Sequence, residues 1–228
     1  MTQTQSHIIH SNQSGTHDSL DSVVLRHLHS VFKRPFPQYS IEAFEPINEL
    51  VSAHRGPLII DSYCGVGEST ASIAAAHPSA LVIGIDKSSH RLDKHPQAYA
   101  NSQVDNYRLV RADVDDFWRL AVAANWRPNK HFILYPNPWP KSSQLKRRCH
   151  GSPLFPSILA LGGKLEVRSN WAIYIEEFAQ ALTLVGQPCS AEHFQPEPAI
   201  TPFERKYQLS EQSLWRCRVE LQLSHRAL

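Results

Sequence analysis

A carboxylate at the end of a strand can accept hydrogen bonds from a ligand's hydroxyl or amino groups, and this chain sets out three in turn. Asp61 closes the apolar run that starts at Leu58, Asp86 follows Ile83-Gly84-Ile85, and Asp113 follows Arg111-Ala112. Asp86 suits the two hydroxyls of a ribose, and Asp113 an adenine amino group. Each alone reads better as a helix cap. Together they point to one adenosyl ligand lying across a sheet edge. Between Asp61 and Ser69 stand Gly65 and Gly67, which permit a tight turn and close approach of a ligand to the backbone. Asp61 and Glu68 are poor company for a pyrophosphate. They suit a ligand with an ammonium group, such as the methionine end of S-adenosylmethionine. A plain strand-to-helix turn is the alternative.

A second cluster is Tyr135-Pro136-Asn137-Pro138-Trp139-Pro140-Lys141, running on to Lys146-Arg147-Arg148. Three prolines stop any regular element, so a rigid extended loop is expected to leave the preceding strand. An indole can stack on a base, and Lys141, Lys146, Arg147 and Arg148, uninterrupted by acids, can hold phosphates. The plainer reading is a Pro-rich surface turn with solvated cations. Further on, Thr201-Pro202-Phe203-Glu204-Arg205-Lys206 offers the two oxygens of Glu204 to the donor edge of a guanine. Spacing alone favours a surface salt bridge from Glu204 to Arg205 or Lys206.

The elements that must position these groups alternate. Strands are expected at Leu58–Ser62, Leu81–Ile85, Tyr107–Ala112, His131–Leu134 and Lys164–Arg168, then at Cys189–Phe194 and Leu214–Leu223 with no helix between the last two. Helices are expected at Ser69–Ala76, near 88–100, at Val114–Ala124, Pro153–Leu161 and Trp171–Val185. The fold class is therefore α/β, a doubly wound, mostly parallel seven-stranded sheet with a C-terminal antiparallel hairpin. That is the layout of the Rossmann-like methyltransferases. The polar stretch 1–20 reads as a disordered tail, and 21–57 as a helical segment and linker, with a helix capped by Ser40 and kinked or restarted at Pro46. The remaining 58–228 forms one domain.

Composition narrows the class. A chain of 228 residues with 42% hydrophobic and 19% charged residues is a soluble globular protein long enough for a sizeable core. No apolar run is long enough for a bilayer, and no charged n-region with a hydrophobic h-region opens the chain, so a cytoplasmic protein is expected. Four cysteines and thirteen histidines fall into no metal-ligand spacing, and no metal is expected. A net charge of +2 means that any nucleic acid must be held by local patches.

Taken in order, these motifs resemble the bacterial tRNA (guanine-N7-)-methyltransferase family. The residues that match are Asp61-x3-Gly65-x-Gly67, Gly84-Ile85-Asp86, Asp113, the proline-tryptophan loop with its Lys-Arg-Arg tail, Ser169-Asn170-Trp171-x2-Tyr174 and Thr201-x-Phe203-Glu204, over roughly residues 55 to 223. The first three are common to many methyltransferases; the loop joined to Thr-x-Phe-Glu is specific. The resemblance implies a class I enzyme that moves a methyl group from S-adenosylmethionine to N7 of a guanine in the tRNA variable loop, as a monomer or homodimer. By position, Asp61, Asp86, Asp113 and Asn137 match cofactor-site residues, while Lys141, Asn170, Thr201 and Glu204 match substrate-binding positions. Asn137 also matches the catalytic position.

Four departures qualify this. The family has an aspartate where this chain has Asn137, and Thr-Asp where it has Ser169-Asn170; its glycine loop opens with a glutamate and a further glycine where Asp61 and Tyr63 stand here; and Gln144 replaces a histidine. Guanine N7 is a lone-pair nucleophile, so no base must deprotonate it, and catalysis is mainly alignment. Methylation leaves positive charge on the purine, which a carboxylate favours and an amide favours less. The exchange of a charge-assisted bond of about 1.5–3 kcal/mol for a neutral one of about 0.5–1.5 kcal/mol slows the step by roughly ten-fold. Two alternatives stay open. One is a related enzyme acting on an exocyclic amino group or another RNA or protein target. The other is a weakly active or inactive tRNA-binding paralogue.

Overall fold

The computed structural model describes residue 6, residues 8–95 and residues 103–222. Seven strands form one sheet in the order β3-β2-β1-β4-β5-β7-β6. They are β1 (Leu58–Ser62), β2 (Leu81–Asp86), β3 (Tyr107–Arg111), β4 (Lys130–Leu134), β5 (Gly163–Ser169), β6 (Glu192–Phe194) and β7 (Leu214–Leu221). The first five pair in parallel, and β7 runs antiparallel to both β5 and β6. Chain order reverses between β1 and β4, so the crevice at their carboxyl ends is the topological switch point where such sheets take ligands.

The near-continuous apolar strands β1, β2 and β4 are buried on both faces. Ile59, Val82, Phe132 and Leu134 point to one side with Ile73 and Ala74 of α3 (Glu68–Ala76). Ile60, Ile83, Ile133, Leu165 and Val167 point to the other, into the larger cluster. That layer holds α1 (Leu20–Leu28), α2 (Gln38–Ala53), α5 (Val114–Ala123), α6 (Phe155–Leu161) and α7 (Ala172–Leu184). Phe44 of α2 meets Phe117 and Trp126 with ring centroids 5.1 and 5.2 Å apart, which ties the N-terminal helices into this core. A short α4 (Ser89–Leu92) begins the connection from β2 to β3, and positions 96–100 of the helix expected there lie outside the described residues.

Three expectations change. Helix α2 starts at Gln38 with Pro37 at its cap, so Ser40 lies inside it and donates to Asp116 Oδ2 at 3.0 Å. The terminal strands do pair antiparallel, but helix α8 (Pro202–Leu209) stands between them where none was expected. Leaving β4, the loop is not extended throughout: Tyr135 and Trp139 have φ of 52° and 46°. From Ser142 to Arg147 the chain winds into a 3-10 turn.

Candidate active site

The carboxyl edge of the sheet gathers most of the residues singled out in the sequence. Asp61 is fully buried, and its Oδ2 accepts from the hydroxyls of Ser69 and Thr70, both at 2.7 Å. Its Oδ1 has no hydrogen-bond partner. Burial pushes this carboxyl up to about 6, against the pull of the two hydroxyls. An unpaired buried carboxylate oxygen is costly unless a ligand donor meets it. Gly65 has φ of 61°, and a Cβ there would meet nothing within 4 Å, so open space lies above the turn. Gly67 has φ of 76°, and a Cβ there would run into Leu109 at 2.6 Å, so this position needs glycine for both reasons.

Asp86 holds the loop from the neighbouring strand. Its Oδ2 accepts from Gly65 N–H at 3.0 Å and its Oδ1 from Ser88 N–H at 2.8 Å. Asp113 caps α5, accepting from Asp115 N–H at 2.9 Å. The cap reading of Asp113 is therefore correct, and a ligand would have to share its carboxylate. Glu68, first read as company for an ammonium group, is instead paired with Arg205 of α8. An adenosyl ligand with an amino group fits what remains: an orphaned oxygen on Asp61, an open turn at Gly65, and carboxylates at the ends of the next two strands.

The loop after β4 divides its residues between solvent and scaffold. Asn137 is exposed, and its Oδ1 accepts from Trp139 N–H at 3.3 Å, which closes a small turn. Arg147 lies over the Trp139 ring, 4.8 Å from the centroid. Lys141, Lys146 and Arg147 are exposed. Gln144 caps the 3-10 turn, its side chain accepting from Lys141 N–H at 3.2 Å. Arg148 is different. It is wholly buried, paired with Glu177 of α7, and it donates to the carbonyls of Trp139 at 3.1 Å and Lys141 at 3.3 Å. Expected as a phosphate contact, Arg148 is a strut, because the acid that neutralises it comes from a distant helix. Burial opposes ionisation of Glu177, but the hydrogen bond from His150 and the Arg148 guanidinium outweigh it and hold the carboxyl at about 2.

Helix α8 closes the other side. Thr201 caps it, accepting from Glu204 N–H at 2.9 Å. Glu204 is fully buried: Oε1 accepts from Tyr135 O–H at 3.0 Å and Arg168 Nη1 at 2.7 Å, and Oε2 accepts from Ile200 N–H at 2.8 Å. The surface salt bridge from Glu204 to Arg205 or Lys206 is not formed, and a guanine would have to share oxygens that three protein donors already engage. Burial and the neighbouring Glu204 push the Tyr135 phenol well up, so it stays a donor. Tyr135 also meets Tyr207 at 5.5 Å, and Tyr207 stacks on Phe203 at 6.1 Å. Asn170, just past β5, donates to Gln212 at 2.9 Å.

Sequence reasoning gave no role to Tyr135, Arg168 or Glu177, and it set Arg205 against Glu204 where the structure pairs it with Glu68. Glu177 had a signal: it is an acid on the apolar face of α7, between Tyr174 and Phe178. Part of the polar stretch before α1, expected to be disordered, also belongs here, because Ser11, Asn12 and Gln13 lie against the loop. Ser11 Oγ donates to the Pro140 carbonyl at 2.6 Å, and Gln13 touches both Glu177 and Arg148.

Known proteins bear on this edge. A family model described as a putative methyltransferase matches residues 55–217. A tRNA (guanine-N(7)-)-methyltransferase of Treponema pallidum is 31% identical over 181 residues, spanning 76% of this chain and 69% of that one. The enzyme so named from Bordetella pertussis is 29% identical over 154 residues, 65% of this chain and 59% of its own length. Among solved structures, a 16S rRNA (adenine(1408)-N(1))-methyltransferase from Catenulisporales acidiphilia superposes with a TM-score of 0.56 at 17% identity, over 80% of this chain and 93% of that one. An antibiotic-related methyltransferase matches with a TM-score of 0.56 at 14% identity, over 77% and 93%. These likenesses establish the Rossmann-like methyltransferase fold. With a matched segment that covers the glycine loop, the proline-tryptophan loop and α8, the chain belongs to the methyltransferase family that includes the bacterial tRNA (guanine-N(7)-)-methyltransferases.

Proposed function

We propose that this protein is an S-adenosylmethionine-dependent methyltransferase that forms 7-methylguanosine in the variable loop of tRNA. The observation that carries the reading is the position of the Asn137–Arg147 segment, an aromatic and basic loop opening from β4 at the switch point, beside the three strand-end acids. S-adenosylmethionine, when bound, supplies an electrophilic methyl group. Asp61 would hold its amino group, Asp86 its ribose hydroxyls and Asp113 its adenine amino group, with Gly65 and Gly67 leaving room for the chain between. Lys141, Lys146 and Arg147 face solvent and would take tRNA phosphates. Asn137 and Asn170 would accept hydrogen bonds from the guanine, and Thr201 with Glu204 would form the base of that wall.

No residue here needs to act as a base, because N7 attacks with its own lone pair. The work left to the chain is alignment and exclusion of water. Among the described residues no helix is long and apolar enough to cross a membrane, which fits a protein that meets tRNA in solution.

A second reading has its own support. The amides at Asn137 and Asn170 are neutral, and both oxygens of Glu204 are occupied, so a weak enzyme or a tRNA-binding paralogue is the alternative. Incubation of the purified protein with unmodified tRNA and labelled S-adenosylmethionine, followed by nucleoside analysis, separates the readings. Label in 7-methylguanosine supports the proposal. An N-methylated adenine or cytosine would transfer it to an amino-group enzyme, and tRNA binding with no label at saturating cofactor would leave the paralogue.

A further inference from the structure

Residues 11 to 17 run as a strap along the outside of the proline-tryptophan loop. Ser11 Oγ donates to the Pro140 carbonyl at 2.6 Å. Asn12 and Ser142 exchange two bonds: Ser142 N–H donates to Asn12 Oδ1 at 3.0 Å, and Asn12 Nδ2 donates to Ser142 Oγ at 3.1 Å. Gln13 accepts from Arg148 Nη2 at 3.0 Å and donates to Glu177 Oε1, which also accepts from His17 N–H at 3.0 Å. Upstream, Ser6 is bound at both backbone groups by Ser210 and Gln212, and Gln212 in turn accepts from Asn170. The strap therefore reaches the buried Arg148–Glu177 pair and grips the loop on both sides of Lys141.

We infer that Ser11, Asn12 and Gln13 are positioning residues of the substrate site, an inference that rests on the tRNA-methylation reading above. Within the loop, Asn137 accepts from Trp139 N–H, while Lys141 donates its N–H to Gln144 and accepts from Arg148 at its carbonyl. Around Lys141 the loop is held by Arg148 from within and by the strap from without. Polar side chains bridging a substrate loop to a terminal segment give that loop one geometry. The strap contributes no atom to the reaction and acts through Pro140 and Ser142.

Asn12 is exposed, so changing it should leave folding intact. Asn12→Asp keeps an acceptor for Ser142 N–H and a second oxygen to accept from the Ser142 hydroxyl; Asn12→Ala keeps neither. The test uses the full-length protein. Amide exchange at Ser142, the catalytic constants with tRNA, tRNA affinity, cofactor affinity and melting temperature are compared for both variants. The expected result is exchange about five-fold faster at Ser142 in Asn12→Ala, the factor of one ordinary hydrogen bond. A similar loss in kcat/KM for tRNA, unchanged cofactor affinity and melting, and restoration by Asn12→Asp complete the expectation. Unchanged exchange would show that the strap does not hold the loop. Faster exchange with unchanged kcat/KM would make it a cover without a positioning role. If the parent protein forms no 7-methylguanosine, the methylation reading fails separately, and tRNA affinity takes the place of kcat/KM in the same comparison. Equal affinity of parent and Asn12→Ala for tRNA would then overturn the inference.

Discussion

Replacing Glu204 with alanine tests the central structural claim about this site. In the fold, Glu204 is wholly buried and satisfies three donors: Arg168 at 2.7 Å, Ile200 N–H at 2.8 Å and Tyr135 O–H at 3.0 Å. Removing one member of a buried pair costs about 3–5 kcal/mol, because the other charge is left unmatched. Arg168 retains Glu166 at 2.7 Å, which places the loss at the lower end, about 3 kcal/mol. For a domain of this size each kcal/mol moves the melting temperature by about 2–4 °C, so Glu204→Ala should melt about 6–12 °C below the parent. Glu204→Gln keeps one accepting oxygen but sets an NH2 against a donor on the other side, and should lose about 1–3 kcal/mol. Thermal unfolding followed by circular dichroism reads both. In the alanine background, Tyr135→Phe should cost almost nothing further, since its partner is already gone. The refuting result is a Glu204→Ala protein that melts within about 2 °C of the parent yet loses tRNA binding. That outcome would mean that this carboxylate faces the nucleotide and that the Arg168 lock is not formed.

Other expectations follow from the same geometry. Asp61 has its carboxyl raised by burial from 3.8 to about 6, so the apo fold binds that proton where the unfolded chain has lost it. Apo stability should therefore fall as pH rises from about 4 to about 6 and level off above that. A cationic ligand favours the carboxylate, so cofactor affinity should rise over the same interval with proton release near pH 6; calorimetry in two buffers would show it, and a flat profile from pH 5 to 7.5 would refute it. Asn137→Asp keeps the acceptor for Trp139 N–H and restores a charge, and should raise the rate of 7-methylguanosine formation about ten-fold. No gain would remove the amide as a cause of weak activity. Alanine at Lys141, Lys146 or Arg147 should each lower the salt dependence of tRNA binding by about one counterion, measured as the slope of log affinity against log salt. Arg148→Ala should instead destabilise the fold by about 3–5 kcal/mol in denaturant titrations.

Much of the fold was legible because the central strands are short apolar runs. Leu58–Ser62 is a strand as the sequence predicts, and β2, β4 and β5 differ from expectation by a residue at their ends. Helix α8 was not legible by periodicity, because Glu204 is its only buried residue and a helix with no apolar stripe gives no 3.6-residue signal. Its start was legible: Thr201 as a cap followed by Pro202 at the first turn is the expected opening of a helix. In the site, the three strand-end acids needed only local pattern. The roles of Arg148 and Glu204 depend on partners 29 and 36 residues away, and neighbours in sequence do not reveal them. In one dimension Arg148 looks the same as Lys146 and Arg147.

That division has a consequence for how the site can change. Charges buried at this edge, Arg148 with Glu177 and Arg168 with Glu204, are committed to holding the loop and α8 in place. Losing one strips its partner of a charge-assisted bond away from water, even though Glu166 stays on Arg168 and His150 on Glu177, so these positions are tied to stability as well as to function. Asn137 is under no such constraint. It is exposed, and the bond it accepts from Trp139 N–H is satisfied equally by an amide or a carboxylate oxygen. Charge at that position is therefore decided by the reaction alone. In open water the loss of a charge 4 Å from a developing cation is worth about 1 kcal/mol; under a bound tRNA that excludes water it is worth several times more. An Asn137 enzyme is thus penalised in proportion to how tightly its substrate seals the loop. The scaffold around it, built from acids and cations that cannot be exchanged as freely, would persist in an active member and in a binding-only relative alike.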